Sequence, residues 1–343
     1  YRAARYDTDV TPQRNDRVVV LLQTAQVMKS RTSILFTLLS VVLVMLFVAD
    51  IAIGSVSISL TDIFGVLTGS NRDSTIRSIV IDIRLIKALM ALLAGAALSL
   101  SGLQMQTLFR NPLAGPYILG VSAGASFGVA LFLLGAPLLG LSASPILSAV
   151  GTAGAAWIGA AAVLLLIIAL SKRIKDIMVI LILGMMLSSA LSAVVEILQY
   201  LSNEAALKSF VVWTMGSLGE ITLSQLSFIA PIIILGIALA VFTIKPLNIL
   251  LLGESYAVTS GVNLTKVRRN IFLSTTLLAG TVTAFCGPIG FVGIATPHLA
   301  RMIFKTADHK VLIPASAIVG ALMLLTGDLV AKALTLPINT VTA

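Results

Sequence analysis

The side chains that could perform metal, acid–base or nucleophilic chemistry are sparse in this sequence and stand apart from one another. His298 and His309, the two histidines, are eleven residues apart, with no Cys or paired carboxylate at ligand spacing. Cys286 is the one cysteine and lies in an apolar stretch beside Gly287. No Ser-His-Asp or zinc-peptidase signature is present. These residues indicate neither a metal site nor an enzyme, and Cys286 is interpreted as a packing residue.

Nucleotide binding and ion coupling also lack their usual residues. No glycine is followed by lysine, so the chain has no Gly-rich phosphate loop ending in Gly-Lys-Ser/Thr. A charge at the bilayer centre costs at least about 2.5–3.5 kcal/mol and marks ion-coupled carriers. The candidates Glu196 and Asp328 both fall near the outer ends of predicted helices. An energy source outside this chain is therefore favoured.

The composition indicates an integral membrane protein. Of 343 residues, 58% are hydrophobic and 11% are charged, with a mean hydropathy of +1.05, which excludes an ordinary soluble domain. Residues 1–33 form a polar tail, predicted to be cytoplasmic, and 34–343 form one transmembrane domain. Because about 20 apolar residues cross a bilayer core, the predicted spans are approximately 34–53, 86–107, 117–135, 147–170, 177–199, 224–244, 270–286, 289–304 and 311–331.

Lysine and arginine residues cluster in the connections on one side of these spans. With the N-terminus inside, most of the 23 Lys and Arg residues fall in the tail and in the inner connections, as the positive-inside rule requires. Topology therefore explains the net charge of +9, and no basic patch indicates nucleic acid. Nine spans would leave the chain end outside, and LPINTVTA at 336–343 predicts the start of a tenth span.

An internal repeat predicts two halves of opposite orientation. The motif LLAG at 92–95 recurs at 277–280, and the same interval of 185 residues separates Arg84 from Arg269. The two copies lie an odd number of spans apart, so they must cross the bilayer in opposite directions. Inverted repeats in transporters place a pathway between the halves. Chance similarity between Leu- and Ala-rich helices is the alternative.

Two stripes of small residues predict close helix packing. Small side chains at every fourth position let helix backbones approach each other. The stripes are Gly120, Gly124 and Gly128, and Gly151, Ala155 and Gly159.

The inner segment 245–269 is too polar to cross the membrane and too patterned for a linker. Residues 249–252 form an apolar patch, and 254–260 predict a short helix along the membrane surface, with a glycine on either side. An exposed helix of this kind suits docking into a groove of a partner. A tethered amphipathic loop without a partner is the alternative.

Five sequence blocks follow one another in a recognisable order. The blocks are IRLIKALMALLAGAALSLSG from Ile83, RNPLAGPYILGVSAGASFG from Arg110, LLLGESYAVTSGVN from Leu250, GPIGFVGIATPHLAR from Gly287 and LTGDLVAK ending at Lys332. They resemble one family, the permeases of ATP-binding-cassette (ABC) importers for iron-siderophores, haem and cobalamin, also called the FecCD type. The resemblance runs from about residue 34 to the end of the chain.

The resemblance implies an all-α polytopic membrane helical bundle, a type II ABC importer permease with ten spans and an inverted repeat. It implies a homodimer with the pathway on its two-fold axis, in the inner (plasma) membrane of a bacterium. Two ATPase subunits would bind inside and hold ATP and Mg²⁺, and a periplasmic or lipid-anchored solute-binding protein would dock outside. No cofactor or metal is expected on this chain, and membrane lipid but not nucleic acid is expected around it.

The resemblance also assigns residues to an outer docking site and to an inner coupling site. Docking of the binding protein falls on Arg84, Lys87 and Lys332, and the two lysines stand where the family has arginine, which removes the bidentate fork. ATPase coupling falls on the inner segment, at Gly253, Glu254, Ala257, Gly261 and Val262.

A third set of residues is assigned to the pathway and its gates. One inner constriction falls on Asn111 and Leu113 of the RNPLA motif. A second falls on Ile177 and Met178, where Asp176 begins a stretch that departs from the small polar pattern of the cobalamin permease.

The sequence therefore predicts a permease subunit without catalytic residues, in an ABC importer for a bulky metal chelate or corrinoid. Siderophore, haem and cobalamin all remain open as the substrate. The alternative is a secondary transporter or channel for a small solute, which needs an ionisable or cation-binding residue at mid-membrane. A receptor or assembly anchor without transport is a third hypothesis.

Overall fold

A computed structural model describes residues 11–54, 56–70, 73–138, 145–174 and 176–335, and within these ranges it contains helices and no strand. The helices are α1 Thr11–Ala52, α2 Leu60–Leu67, α3 Ser74–Ser78, α4 Ile86–Leu108, α5 Val121–Ala130, α6 Ala136–Leu138, α7 Pro145–Arg173, α8 Ile177–Leu201, α9 Glu204–Met215, α10 Leu223–Phe242, α11 Ile244–Leu250, α12 Glu254–Thr259, α13 Leu264–Thr275, α14 Thr281–Cys286, α15 Val292–Phe304 and α16 His309–Thr335. The π-helical segments Ile79–Leu85, Leu131–Gly135 and Thr276–Gly280 join α3 to α4, α5 to α6 and α13 to α14.

Each predicted span corresponds to one of these helices or helix pairs. Five described helices are long and apolar enough by themselves to cross a membrane, namely Ser30–Ala52 within α1, Gly151–Arg173 within α7, α8, α10 and His309–Leu334 within α16. The nine predicted spans do not include α9, which at 12 residues is too short for the length criterion. The predicted tenth span at 336–343 lies outside the described residues.

The chain divides into two units, residues 1–42 and residues 43–343. In the first unit, the described part of the predicted tail is helical from Thr11 onward. The tail boundary at residue 33 stays a prediction. All of the sites considered below lie in the second unit.

The two LLAG helices run antiparallel. Lys87 at the start of α4 and Pro288 directly after α14 line the same cavity. At the other end, near Arg110, Oε1 of Gln104 in α4 accepts a hydrogen bond from Oγ1 of Thr275 in α13 at 3.5 Å. The start of one copy therefore adjoins the end of the other, as the inverted repeat predicted. By the charge rule, the end with Lys87 is the outer end and the end with Arg110 is the inner end.

Residues that correspond in the two copies of the repeat do not have the same local structure along the whole helix. Gly102 lies inside α4, where an added Cβ would collide with the carbonyl group of Gly293. Gly287, its counterpart, ends α14 with φ +73°, and Pro288 follows. Proline has no N–H to continue the helical hydrogen bonds. The second copy therefore breaks into α14 and α15 where the first copy continues.

Parts of the two predicted stripes of small residues pack against each other where α5 crosses α7, but Gly151 does not take part, because it has φ +62° and nothing lies within 4 Å of its Cβ position. A Cβ at Gly124 would collide with the backbone of Gly159, and a Cβ at Gly128 would collide with the carbonyl oxygen of Ala155. Backbones this close exclude any larger side chain and gain dispersion contacts along the crossing. The packing prediction is confirmed at these positions.

Burial is uneven among the helices. Every residue of α4 from Ala94 to Leu108 is buried, so α4 forms the centre of the bundle. In α8, by contrast, the buried residues are Ile177, Ile180, Gly184 and Val195. Most of the surface of α8 must therefore face lipid, a partner chain or water.

Candidate docking, coupling and gate sites

Two of the predicted docking residues belong to a chain of ion pairs at the outer ends of α1, α4 and α16. Nζ of Lys87 lies 2.7 Å from Oδ1 of Asp328. Nζ of Lys332 lies 2.9 Å from Oδ2 of Asp328 and 2.8 Å from Oδ1 of Asp50. We call these four residues the outer ionic cluster. The two lysines share one carboxylate, and Asp50, which no sequence motif marks, completes the cluster.

Arg84, the third predicted docking residue, is buried and turned toward the end of α1. Its Nη1 donates hydrogen bonds to the carbonyl oxygens of Ile51 at 3.0 Å and Ala52 at 2.9 Å, and its Nη2 donates to Val56. Gly54 leaves the space, because a Cβ there would lie 2.7 Å from Nη2. A cation at the C-terminal carbonyls of a helix satisfies groups that have no partner within the helix. Within this chain Arg84 therefore caps α1.

The predicted coupling segment contains the short helix α12, confirmed at Glu254–Thr259. Gly253 precedes it with φ +116° and Gly261 follows it with φ +80°. These backbone angles favour glycine, because a Cβ would be strained there. The main-chain N–H of Val262 donates to the carbonyl of Ala257 at 2.9 Å and closes the turn after the helix.

The faces of α12 are distinct. Ala257 is fully buried against the bundle, whereas Tyr256 and Val258 are more than half exposed. Nη2 of Arg268 on α13 lies 2.7 Å from Oε1 of Glu254, and this ion pair joins the first turn of α12 to α13. The arrangement fixes α12 to its own chain on one side and leaves an apolar surface free on the other. Its role in ATPase coupling stays a prediction.

The RNPLA segment follows α4 at the inner end. Oδ1 of Asn111 accepts a hydrogen bond from the main-chain N–H of Leu113 at 2.9 Å, a local turn of the kind that asparagine favours. Leu113 is 73% exposed, so its side chain is available to a pathway or a partner. The preceding Arg110 has φ +49°, uncommon outside glycine. Its Nη2 lies 3.2 Å from where a Cβ of Gly253 would be, so the predicted gate and coupling segments are in contact.

The second predicted constriction lies at the start of α8. Asp176 is the N-cap of this helix, and its Oδ1 accepts from the N–H of Met178 at 2.8 Å. The departure from the family pattern at Asp176 thus has a structural cause, since Asp is a preferred cap. Ile177 is buried, whereas the side chain of Met178 is 46% exposed. Of these two predicted pathway residues, only Met178 is available to a pathway.

The polar side chains of α8 all lie within a sector of about 120° at 100° per residue. They are Ser188, Ser189, Ser192, Glu196, Gln199 and Tyr200. The neighbouring exposed sector is apolar and holds Val179, Met186, Val194, Ile197 and Leu201. A cavity of about 460 Å³ opens beside the polar sector, and its lining includes Ser122, Ser126 and Thr214. The hydroxyls of Ser188 and Ser189 donate to main-chain carbonyls within the helix, whereas an ionised carboxylate such as that of Glu196 avoids hydrocarbon. We therefore interpret this sector as the water-facing side of α8.

His309 joins three elements at the inner end and was not singled out for this from the sequence. Its Nε2 lies 2.8 Å from Oγ1 of Thr107 on α4, and its Nδ1 lies 2.7 Å from Oδ1 of Asn248 on α11. Nδ2 of Asn248 in turn donates to Asp308 at 2.6 Å. Hydrogen bonds from the main-chain N–H of Lys310 and from Asn248 hold the pKa of Asp308 below its usual value. These bonds fasten the beginning of the coupling segment to α4 and α16.

Comparison with known proteins agrees with this architecture. The model of the FecCD transport family matches residues 42–343. The hemin transport system permease protein of Yersinia pestis is 36% identical and aligns over 87% of each chain. The molybdate import system permease protein of Haemophilus influenzae is 37% identical over 89% of this chain and 90% of its own.

Two further relatives extend the comparison. The vitamin B12 import system permease protein of Salmonella typhi is 37% identical over 76% of this chain and 78% of its own. A solved inward-facing conformation of a metal-chelate type ABC transporter superposes with a TM-score of 0.76 at 34% identity, covering 88% of this chain and 91% of the other. The chain therefore belongs to the FecCD transport family, as a multi-pass membrane permease.

Proposed function

We propose that this chain is the membrane-spanning permease subunit of an ABC importer for a bulky metal chelate or corrinoid. ATP hydrolysis takes place in two separate ATPase subunits, and a solute-binding protein delivers the substrate from outside. ATP binding and hydrolysis rock the two inverted halves between outward- and inward-open states. The chain contributes the path and its gates.

The observation that carries this proposal is the contact between the predicted coupling and gate segments. The exposed side of α12, with Tyr256 and Val258, is available to an ATPase groove. Gly253, directly before α12, lies against the guanidinium of Arg110, and Arg110 is the residue before Asn111. A displacement of α12 by the ATPase would therefore reach the gate through one side-chain contact. If another subunit supplies the energy, a physical contact between the coupling segment and the gate is needed to transmit the movement.

The surface of α8 supports a dimer with a central path. Its polar sector needs water, and a single copy of the chain leaves that sector open. Two copies related by a two-fold axis, with these sectors facing each other, would enclose a hydrated path and turn the apolar sectors toward lipid. Met178 on the inner half and Glu196 on the outer half would then lie along this path.

The lining of that sector favours a large chelate over a small oxyanion. The relatives named above include permeases for hemin, vitamin B12 and molybdate. The exposed sector of α8 carries hydroxyl, amide and thioether groups and one carboxylate, Glu196, but no Lys or Arg. A carboxylate repels molybdate, whereas thioethers and hydroxyls accommodate the mixed surface of a metal macrocycle. Haem, a ferric siderophore and cobalamin remain the candidates.

Secondary transport is less well supported. The buried carboxylates Asp50 and Asp328 lie in membrane helices, where ion carriers keep such groups. In this chain each of them is paired with a lysine, so a driving ion would have to displace a tethered ammonium group. Glu196 is exposed and lies toward the outer end of α8.

The proposal is tested with the chain reconstituted into nanodiscs with the ATPase of the same transport system. The solute-binding protein is added with hemin, a ferric siderophore, cyanocobalamin or molybdate. We expect one chelate or corrinoid to raise ATP hydrolysis through the binding protein, and the chain alone to hydrolyse nothing. Stimulation by molybdate alone would contradict the substrate class. Hydrolysis by the isolated chain would contradict the proposed function.

A further inference from the structure

The three cations assigned to docking differ in how many of their N–H donors this chain already uses. A lysine ammonium group has three donors. Nζ of Lys332 donates hydrogen bonds to Oδ1 and to the main-chain oxygen of Asp50, both at 2.8 Å, and forms an ion pair with Oδ2 of Asp328 at 2.9 Å. The side chain of Lys332 is 11% exposed. These three oxygens surround the ammonium group, so an acidic side chain of a partner would have to displace one of them.

Arg84 is engaged in the same way. Its guanidinium donates to the carbonyl oxygens of the last two residues of α1 and of Val56 beyond it, and the residue is 4% exposed. Gly54 brings the chain so close that the guanidinium is enclosed by backbone. To reach a partner, Arg84 would have to leave these carbonyls without donors, and unsatisfied buried carbonyls are costly.

Lys87 is different. In the described part of the chain its one acceptor is Oδ1 of Asp328, so two of its three donors are unused. Its side chain is 25% exposed. It lines an outer cavity of about 460 Å³, together with Ser217 and Pro288. An incoming carboxylate can therefore bond Lys87 while Asp328 keeps its own bond.

We propose that Arg84 and Lys332 fasten the C-terminal end of α1 to the bundle and that Lys87 alone of the three binds an acidic side chain of the solute-binding protein. This division of roles rests on the proposed function only where docking is concerned. The fastening of α1 is a property of the chain itself. Oδ2 of Asp50 has no hydrogen-bond donor among the described residues, so Lys332 is the cation that makes this buried carboxylate tolerable.

The docking experiment uses the permease and its ATPase in nanodiscs, with the solute-binding protein of the same transport system as the probe. The variants are Lys87→Met and Lys332→Met, and Lys208→Met on α9 is the control, because Lys208 is an exposed lysine on the outer side. We expect K87M to weaken docking by about tenfold or more, since it removes a charge contact. K332M and K208M should bind the probe as the unchanged complex does.

Thermal unfolding in the same nanodiscs tests the fastening without any partner. K332M leaves Asp50 buried without its cation, so its melting temperature should fall. The double variant Asp50→Asn with Lys332→Met removes both charges and should melt above K332M. The melting temperature of K87M should lie within about a degree or two of that of the unchanged chain, because a partly exposed ion pair contributes little to stability.

Two results would overturn the division of roles. One is K332M weakening docking as much as K87M while melting like the unchanged chain. The other is a double variant no more stable than K332M. If the probe fails to dock to the unchanged complex, the proposed function is contradicted, and the fastening of α1 is still decided by the melting temperatures.

Discussion

Nη2 of Arg268 and Oε1 of Glu254 are 2.7 Å apart, and this pair ties the exposed helix α12 to the buried helix α13. The side chain of Arg268 is 5% exposed and that of Glu254 is 33% exposed. A force applied to α12 by a partner is therefore passed to a helix that is continuous, through Thr276–Gly280, with one copy of the inverted repeat.

We expect Glu254→Gln to uncouple the permease from its ATPase. The amide keeps the shape of the carboxylate but loses its charge, and a hydrogen bond between charged groups is worth about 1.5–3 kcal/mol. Uptake per ATP hydrolysed should fall by about tenfold or more, while binding-protein docking at the outer end is unchanged. The ratio of uptake to phosphate release measures this. Uptake per ATP at the level of the unchanged chain would show that the pair is not part of the coupling path.

Gly253→Ala should impair uptake more than its backbone strain explains. The substitution places a Cβ at φ +116° and 3.2 Å from Nη2 of Arg110. Gly69→Ala is the matched control, because Gly69 also has positive φ, at +78°, with nothing within 4 Å of its Cβ position. Both variants strain the backbone, and G253A strains it more, because φ +116° with ψ +152° is a conformation that is essentially restricted to glycine.

The measurement is uptake at equal amounts of folded protein in the membrane. We expect G69A to transport normally and G253A to lose most uptake. Arg110→Ala in the unchanged background removes the same contact from its other side, so it should also lose most uptake. Equal uptake by G69A and G253A would contradict a contact between gate and coupling segments.

The hydrophobic pattern was sufficient to predict the helices, because the length of an apolar run is a local property of the chain. The stripes at Gly124 and Gly159 could be predicted for the same reason, since residues four apart share a helix face. The inverted relationship of the LLAG helices followed from counting spans, and the antiparallel packing at Lys87 and Pro288 confirms it.

The partners of the charged residues could not be predicted from the sequence. Lys332 and Asp50 are 282 positions apart, and their pairing depends on how α1 meets α16. The acceptors of Arg84 are main-chain carbonyls, which every residue carries, so no residue type marks them. The half-length helix α9 was missed because 12 residues fall short of a bilayer span. Tertiary contacts decide these features.

Gly128→Ala should destabilise the bundle, whereas Gly135→Ala should not. A Cβ at Gly128 would collide with the carbonyl oxygen of Ala155, so α5 and α7 would have to separate. At Gly135 the nearest atom would be Cδ2 of Leu131 at 3.7 Å, an ordinary contact. Overpacking costs about 1–3 kcal/mol, so the melting temperature of G128A should fall by several degrees. Equal melting of the two variants would contradict the close crossing of α5 and α7.

Cysteine labelling should separate the two exposed sectors of α8. The native Cys286 is buried, and Cys286→Ala supplies a cysteine-free chain. In that background we expect Ser192→Cys to react with a membrane-impermeant maleimide and Val194→Cys to be protected by lipid, because thiolate formation needs water. Labelling of intact proteoliposomes is read by mass spectrometry. Faster reaction at position 194 than at 192 would contradict the assignment of the water-facing sector.

The central claim is that this permease moves its substrate with energy released in a separate subunit. It is tested most directly by uptake into proteoliposomes that contain the chain and its ATPase, with the loaded solute-binding protein outside. We predict uptake that requires ATP inside and is unaffected by collapsing the proton and sodium gradients. Uptake driven by an ion gradient without ATP, or by the chain without its ATPase, would contradict the account.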